Sequence, residues 1–320
     1  VVSWGWTALS GCLFSVPARL DDGAPTPGCA PEGVSAERLL ADVATLAREP
    51  RRSLERRAEV RAWLAERWTA LGYTVEERPF TIAGVRGTNV VASGPAGGTV
   101  WVGAHYDSVA STPGADDDAS GVAAVLELAR VLGPEVPVRY VLFDAEEPHD
   151  ASVGREGRNY AFGSQAFVDA LGPGEASAAF VLESIGRACE TCQQLPPGVP
   201  SSLVKVDGTA VYWVVDEPSA APWADLVATA RAAVPTRPAH AVGFADRGDD
   251  LPQSRFSDHA PFWDAGIPAV MVTDTAMLRN ADYHRPGDTA DRIDGAYLAD
   301  ATTGVGAAVR ELTGRCRATP

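Results

Sequence analysis

Five short apolar runs alternate with stretches of helical length, and this alternation restricts the fold more than any other feature of the chain. The runs are TVWVGA (99–104), VRYVLF (138–143), AAFVLE (178–183), AVYWVV (210–215) and IPAVMVT (267–273). Each is too short for a helix of ordinary length and reads as a buried strand. Between them lie SGVAAVLELARVL (120–132), apolar nearly all round and hence buried on both sides, and PWADLVATARAAV (222–234). A last helix is expected over 295–313. Upstream, helices are expected over 35–49 and 52–72, the second carrying Val60, Trp63, Leu64, Trp68 and Leu71 on one core-facing stripe, with Gly72 suited to end it. YTVEERPF (73–80) and GTNVVAS (87–93) read as further strands. Alternation of this kind predicts an α/β fold: a three-layer αβα sandwich with a central mixed, mostly parallel sheet. No internal repeat and no linker interrupts 35–316, so one domain is expected.

The strand ends carry the chemistry. His105 and Asp107 follow the first run, Asp144, Glu146 and Glu147 the second, Glu183 closes the third, and Asp274, Tyr283 and His284 follow the fifth. Open α/β sheets bind ligands beyond the carboxyl ends of their strands, so these groups converge on one mouth. The only lysines or arginines between residues 100 and 150 are Arg130 and Arg139. Unpaired buried carboxylates cost several kcal/mol each, so a cation is expected among them. Imidazole nitrogen with carboxylate oxygen suits zinc, whereas an all-oxygen set would suit calcium or magnesium.

Other chemistries are poorly served. A net charge of −15 disfavours nucleic acid or an anionic membrane as partner. Lys205 is the sole lysine and has no constellation around it to tune it for a Schiff base. Neither a G-x-S-x-G elbow nor a phosphate-binding G-x-x-x-x-G-K-[ST] loop occurs.

In order along the chain, GAHYDSV, GADDDASG, FDAEE, SDHAPF…GIPA and YHRPGDT resemble the motifs of the di-zinc aminopeptidases of the bacterial leucyl aminopeptidase type. That superfamily also holds glutamate carboxypeptidase II and the glutaminyl cyclases. The likeness covers roughly residues 55–315. It implies two zinc ions per chain. His105 would ligate one, Asp117 would bridge both, with the Asp117–Asp118 peptide cis, and Glu147 and His284 would complete the second. Glu183 stands where the family usually places Asp. Glu146 resembles the general base, taking a proton from metal-activated water and passing it to the leaving amine, and Tyr283 the donor to the developing oxyanion. Asp107, two residues from His105, would hold the other imidazole nitrogen. Asp258 would support the site wall and Asp288 would support His284. Asp116 and Asp118 read instead as solvated or capping groups, with Asp118 or Ser120 at the start of the buried helix. His149 and His240 have no motif around them and read as surface residues.

The implied activity is a metal-dependent exopeptidase acting on peptide or protein N-termini, because Glu146 and Glu183 would face a free amine. A glutaminyl cyclase, a carboxypeptidase or dipeptidase using Arg155, Arg158 or Arg187 for a substrate carboxylate, and a non-catalytic binding domain are the alternatives. Two segments depart from the family pattern, PHDASVGREGRNYAFG between Glu147 and Ser164, and RACETCQQLPPGVPSS after Glu183; both fall where loops set specificity.

The five cysteines leave one over from pairing. Leu9-Ser10-Gly11-Cys12, after a short apolar run, resembles the lipobox of bacterial lipoproteins; Cys12 as an ordinary thiol is the alternative. With Cys12 set aside, Cys189–Cys192 within one loop and Cys29–Cys316 across the chain ends are the expected disulfides, in preference to a zinc site on the single C-x-x-C. Residues 1–32 read as leader remnant and linker arm, 33–320 as a zinc peptidase domain, and the whole as an exported protein, secreted or anchored to the cell envelope.

Overall fold

The computed structural model describes residues 18–19, 23–147, 161–192, 207–217, 220–249 and 251–317. Cys12, His149, Arg155, Arg158 and Lys205 lie outside the described residues. The sheet is built from β1 (Ala18–Arg19), β2 (Thr74–Ile82), β3 (Val85–Ser93), β4 (Val100–His105), β5 (Val138–Phe143), β6 (Ala178–Glu183), β7 (Val211–Asp216), β8 (Ala239–Phe244) and β9 (Ala269–Thr273). Their spatial order is β1-β8-β7-β9-β6-β4-β5-β3-β2. The four central strands β9, β6, β4 and β5 run parallel, with Val102 opposite Tyr140 and Phe180 opposite Val102. Antiparallel neighbours flank them, β3 against β5 on one side and β7 against β9 on the other. The sheet is therefore mixed, with its parallel part at the centre.

Strand parity divides the interior into two cores. Val100, Val102 and Ala104 of β4 face one side, where α1 (Ala36–Leu46), α2 (Leu54–Ala70), α3 (Gly121–Leu132), α5 (Ala220–Ala233) and α7 (Gly295–Leu312) pack. Trp101 faces the other, with Val141, Phe143 and the short helices α4 (Phe162–Asp169) and α6 (Ala260–Asp264). That is the three-layer sandwich expected from the sequence. The stripe on α2 behaves as read: Val60, Leu64 and Trp68 are buried, and Trp63 and Leu71 pack partly against the same core. Ser53 caps the helix by accepting from Arg56 N, and Gly72, with φ of +90°, follows its last turn.

The helices α4 and α6, the strand β8 and the place of His240 were not anticipated. β8 (AHAVGF) is rich in small residues, and its sequence lacks the β-branched density that marks a strand; its pairing with β7 supplies what its composition does not. His240, expected at the surface, lies on β8 half-buried against Tyr212, with ring centroids 5.7 Å apart. The arm before α1 is docked: Thr26 bonds Thr229 and Glu311, and Cys29 is joined to Cys316. Cys189 is joined to Cys192, so both pairings match the expectation. No helix among the described residues is long and apolar enough to cross a membrane.

Candidate metal centre

Parallel pairing of β4, β5, β6 and β9 puts their carboxyl ends on one edge of the sheet. His105 ends β4, Glu183 ends β6, and Glu146 and Glu147 follow β5. Immediately beyond these ends the chain turns through left-handed backbone at Ala145 and Ser184, with φ of +58° and +48°. Such turns hold the side chains at the rim. Asp117 arrives from the irregular turn Ala115–Ser120 at the start of α3, whose Asp117–Asp118 peptide is cis. His284, itself at φ of +58°, arrives from the segment after β9.

These residues form two groups that share one member. His105, Asp117 and Glu183 make the first; Asp117, Glu147 and His284 make the second. Asp117 Oδ1 lies 3.1 Å from His105 Nε2, and Asp117 Oδ2 lies 3.1 Å from His284 Nε2. His105 Nε2 is 3.5 Å from Glu183 Oε2, and His284 Nε2 is 3.1 Å from Glu147 Oε2. All five residues expected as ligands are thus gathered.

The donor atoms fit a divalent ion. His284 Nε2 and Asp117 Oδ2 are buried and close, yet neither has a hydrogen-bond partner of acceptable geometry among the described residues. Atoms that converge without bonding one another are arranged around a common point, and nitrogen with carboxylate oxygen is a donor set suited to zinc.

Charge tells the same story. Burial opposes protonation of His284, but the carboxylates of Asp117 and Glu147, each 3.1 Å from its Nε2, lift its pKa to about 10. Burial likewise opposes a charged His105, which Glu183, Asp107 and Asp117 together hold well above the usual imidazole range. Glu183 is raised to about 8, chiefly by burial. Glu146 is raised well above the ordinary carboxylate range, again mainly by burial. Burial also works against the Asp117 carboxylate, but the two imidazoles hold it below its usual value.

The surrounding groups orient this set. Asp107 accepts from the backbone N–H of Glu146 and Glu147, at 3.1 and 3.2 Å, and its Oδ1 lies 3.5 Å from His105 Nδ1. It therefore fixes the loop carrying Glu146 and Glu147 as well as facing the imidazole. Asp258 is wholly buried, and burial raises it to about 7, while its neighbour Ser257 donates to Glu183 Oε2 at 2.8 Å. The Tyr283 ring stacks on His284 with centroids 3.9 Å apart.

Three expectations need correction. Asp288 does not support His284: it accepts from the backbone N–H of Asp116 and Asp117 and so holds the Asp117 turn, while Ser111 Oγ bonds the His284 carbonyl. Asp116 is neither solvated nor capping, but buried, accepting from Gly186 N and Asn280 Nδ2. Asp118 does cap α3 through Gly121 N and also accepts from Ser184 N, and it too is buried. The supply of cations is larger than residues 100–150 suggest: Arg57 of α2 pairs with Asp144, removing that carboxylate from the centre. Arg187 is half-buried, its backbone N–H on Asp274 and its carbonyl on Arg279. Asn280, which bonds both Asp116 and Asp288, was missed, as was Ser257; neither residue type carries a signal for such a role at sequence level.

The fold and the site define a metallopeptidase on an α/β sandwich. The chain belongs to peptidase family M28, whose model matches residues 89–309, and the family resemblance read from the five motifs is borne out. It is a hydrolase acting on peptides. Over 270 residues it is 35% identical to the uncharacterized protein YfbL of Escherichia coli K12, covering 79% of each chain. It is 32% identical over 222 residues to aminopeptidase YwaD of Bacillus subtilis, covering 66% of this chain and 40% of that one. The solved structure of BSAP, a zinc aminopeptidase from Bacillus subtilis, superposes with a TM-score of 0.67 at 17% identity over 88% of this chain and 95% of its own, and so shares the fold.

Proposed function

We propose that the protein is a zinc aminopeptidase that holds two ions per chain and removes residues from free peptide N-termini. The observation that carries this reading is Asp117, whose two oxygens each face one imidazole at 3.1 Å. His105 and Glu183 would hold one ion, Glu147 and His284 the other, and Asp117 both. Zinc held there supplies Lewis acidity and activates water at neutral pH.

The remaining steps belong to the chain's own groups. Glu146, displaced upward in pKa by burial, accepts a proton from the attacking water and delivers it to the departing amine. Tyr283 stays protonated, because burial and the carboxylates around it oppose its ionisation, and donates to the substrate carbonyl oxygen as charge develops there. Glu146 and Glu183 offer negative charge to a free α-ammonium, which favours an N-terminus over an internal bond. Asp107 and Asp258 support the site from behind.

The region 33–320 forms the peptidase domain in this reading, and 1–32 the preceding arm. Two disulfides favour an oxidising compartment, and Leu9–Cys12 suggests a lipid on Cys12.

The test is hydrolysis of aminoacyl-p-nitroanilides with and without chelator, beside their N-acetylated forms, together with elemental analysis. Chelator-sensitive cleavage of the free-amine substrates alone, with two zinc ions per chain, is the expected result. Equal cleavage of blocked substrates would sink the aminopeptidase assignment. One ion per chain with cyclisation of N-terminal glutamine would move the protein to the glutaminyl cyclases.

A further inference from the structure

Arg51 lies in the connection between α1 and α2, outside the stretch matched by the family model. Its surface is 0% exposed. A buried guanidinium ordinarily meets a carboxylate, because an uncompensated buried charge costs several kcal/mol. Arg51 makes no ion pair among the described residues. Its donors instead meet backbone carbonyls: Nε on Tyr106 O at 2.8 Å, Nη1 on Pro113 O at 2.7 Å and Leu46 O at 3.4 Å, and Nη2 on Gly114 O at 2.9 Å. Its own N–H donates to Ser108 Oγ at 2.9 Å.

The choice of carbonyls matters. Tyr106 immediately follows His105, and Gly114 lies three residues before Asp117. The loop between them is the only covalent path joining His105 to Asp117 directly, and the guanidinium grips both of its ends. At Gly114, where φ is +66°, an added Cβ would lie 2.3 Å from Asp117 O and 3.0 Å from Arg51 Nη2, so the turn and the arginine are in tight contact. A planar fork with fixed donor directions can hold two strands of a loop at a set spacing, and a lysine ammonium cannot. The negative charges of Asp117, Asp118, Asp107 and Asp288 offset part of the cost of burying Arg51, although burial remains the larger effect.

We propose that Arg51 is a positioning residue for the metal centre, clamping the 106–114 loop so that His105 and Asp117 present their donor atoms to one ion. The inference rests on the two-ion reading above and extends it to a residue far from the motifs.

The test uses metal-free full-length protein: wild type, Arg51→Lys, Ser108→Ala and the core control Leu64→Ala. Each is titrated with Zn2+ against a chromophoric chelator and with Co2+ for its visible spectrum, and melting temperatures are recorded in parallel. Arg51→Lys and Ser108→Ala are expected to weaken the tighter ion by about tenfold or more, within the range typical of groups that orient ligands, and to shift the cobalt bands. Leu64→Ala should lower the melting temperature with affinity and spectrum unchanged. Wild-type affinity and spectrum in both Arg51→Lys and Ser108→Ala would overturn the inference, whatever the melting temperatures; should Arg51→Lys fail to fold, Ser108→Ala decides alone. A wild-type protein that takes up no ion would instead defeat the proposed function, so the two failures are distinguishable.

Discussion

Asp117 Oδ2 lies 3.1 Å from His284 Nε2, although 167 positions separate the residues in sequence and His284 lies at a left-handed turn. The other oxygen of the same carboxylate faces His105. One side chain therefore serves both groups, and Asp117→Asn should empty both at once. Elemental analysis is expected to fall from two zinc ions per chain toward none, with chelator-sensitive activity lost. Retention of one full equivalent would show that the two groups do not share Asp117.

Glu146 is buried beside Glu147 without belonging to either converging group. Glu146→Gln should leave metal content and fold intact while kcat falls by about 10²–10⁴-fold, the usual contribution of a positioned acid–base group. A metal-loaded variant at full activity would refute its role as base.

Tyr283 is oriented by its stacking on His284. Tyr283→Phe keeps the ring and removes the donor. A fall in kcat of about 10²–10³-fold is expected, as for loss of one oxyanion donor, with KM changed far less. A change confined to KM would reduce Tyr283 to a packing role.

His259 is buried, its Nε2 2.8 Å from Ser254 O, and burial lowers its pKa to about 3. The folded protein thus binds fewer protons at this site than the unfolded chain, whose imidazole titrates near 6.5. The resulting stability is full above pH 6.5 and is lost progressively as pH falls toward 3. Urea melts of the metal-free protein should show this decline, and His259→Leu should flatten it. An unchanged slope in that variant would exclude His259 as its source.

Cys29 and Cys316 close a loop with a sequence separation of 287. Replacing both with Ser should cost about 2–5 kcal/mol of stability, read as a lower melting temperature with two-state unfolding retained. No shift would mean that the hydrogen bonds of Thr26 to Thr229 and Glu311 hold the arm on their own.

His105, Glu147 and Glu183 were legible because each ends or closely follows an apolar run, and strand direction carries such positions to one edge. Asp117 and His284 stand in polar stretches and were placed by the motifs of the family that the chain resembles. Asp116 was misread because three consecutive aspartates give no periodicity to say which points where. The irregular turn at 115–120 sends all three into the interior: Asp116 accepts from Gly186 N and Asn280 Nδ2, Asp118 from Gly121 N and Ser184 N, and Asp117 faces the two imidazoles. Asp288 was assigned to His284 by proximity in sequence, but the turn at Asp117 is its neighbour in space.

The sequence by itself determined the layers of this protein, its central strands and most of the residues that meet at the strand ends, because hydrophobic periodicity and chain connectivity are local properties. Only the tertiary structure decided what holds those residues in place. Arg51, Arg57, Ser257 and Asn280 come from separate segments, and their roles depend on hydrogen-bond directions that exist only once the sheet has brought those segments within 3 Å or so of one another. A carboxylate's neighbours, and hence its charge, are set by packing rather than by position along the chain.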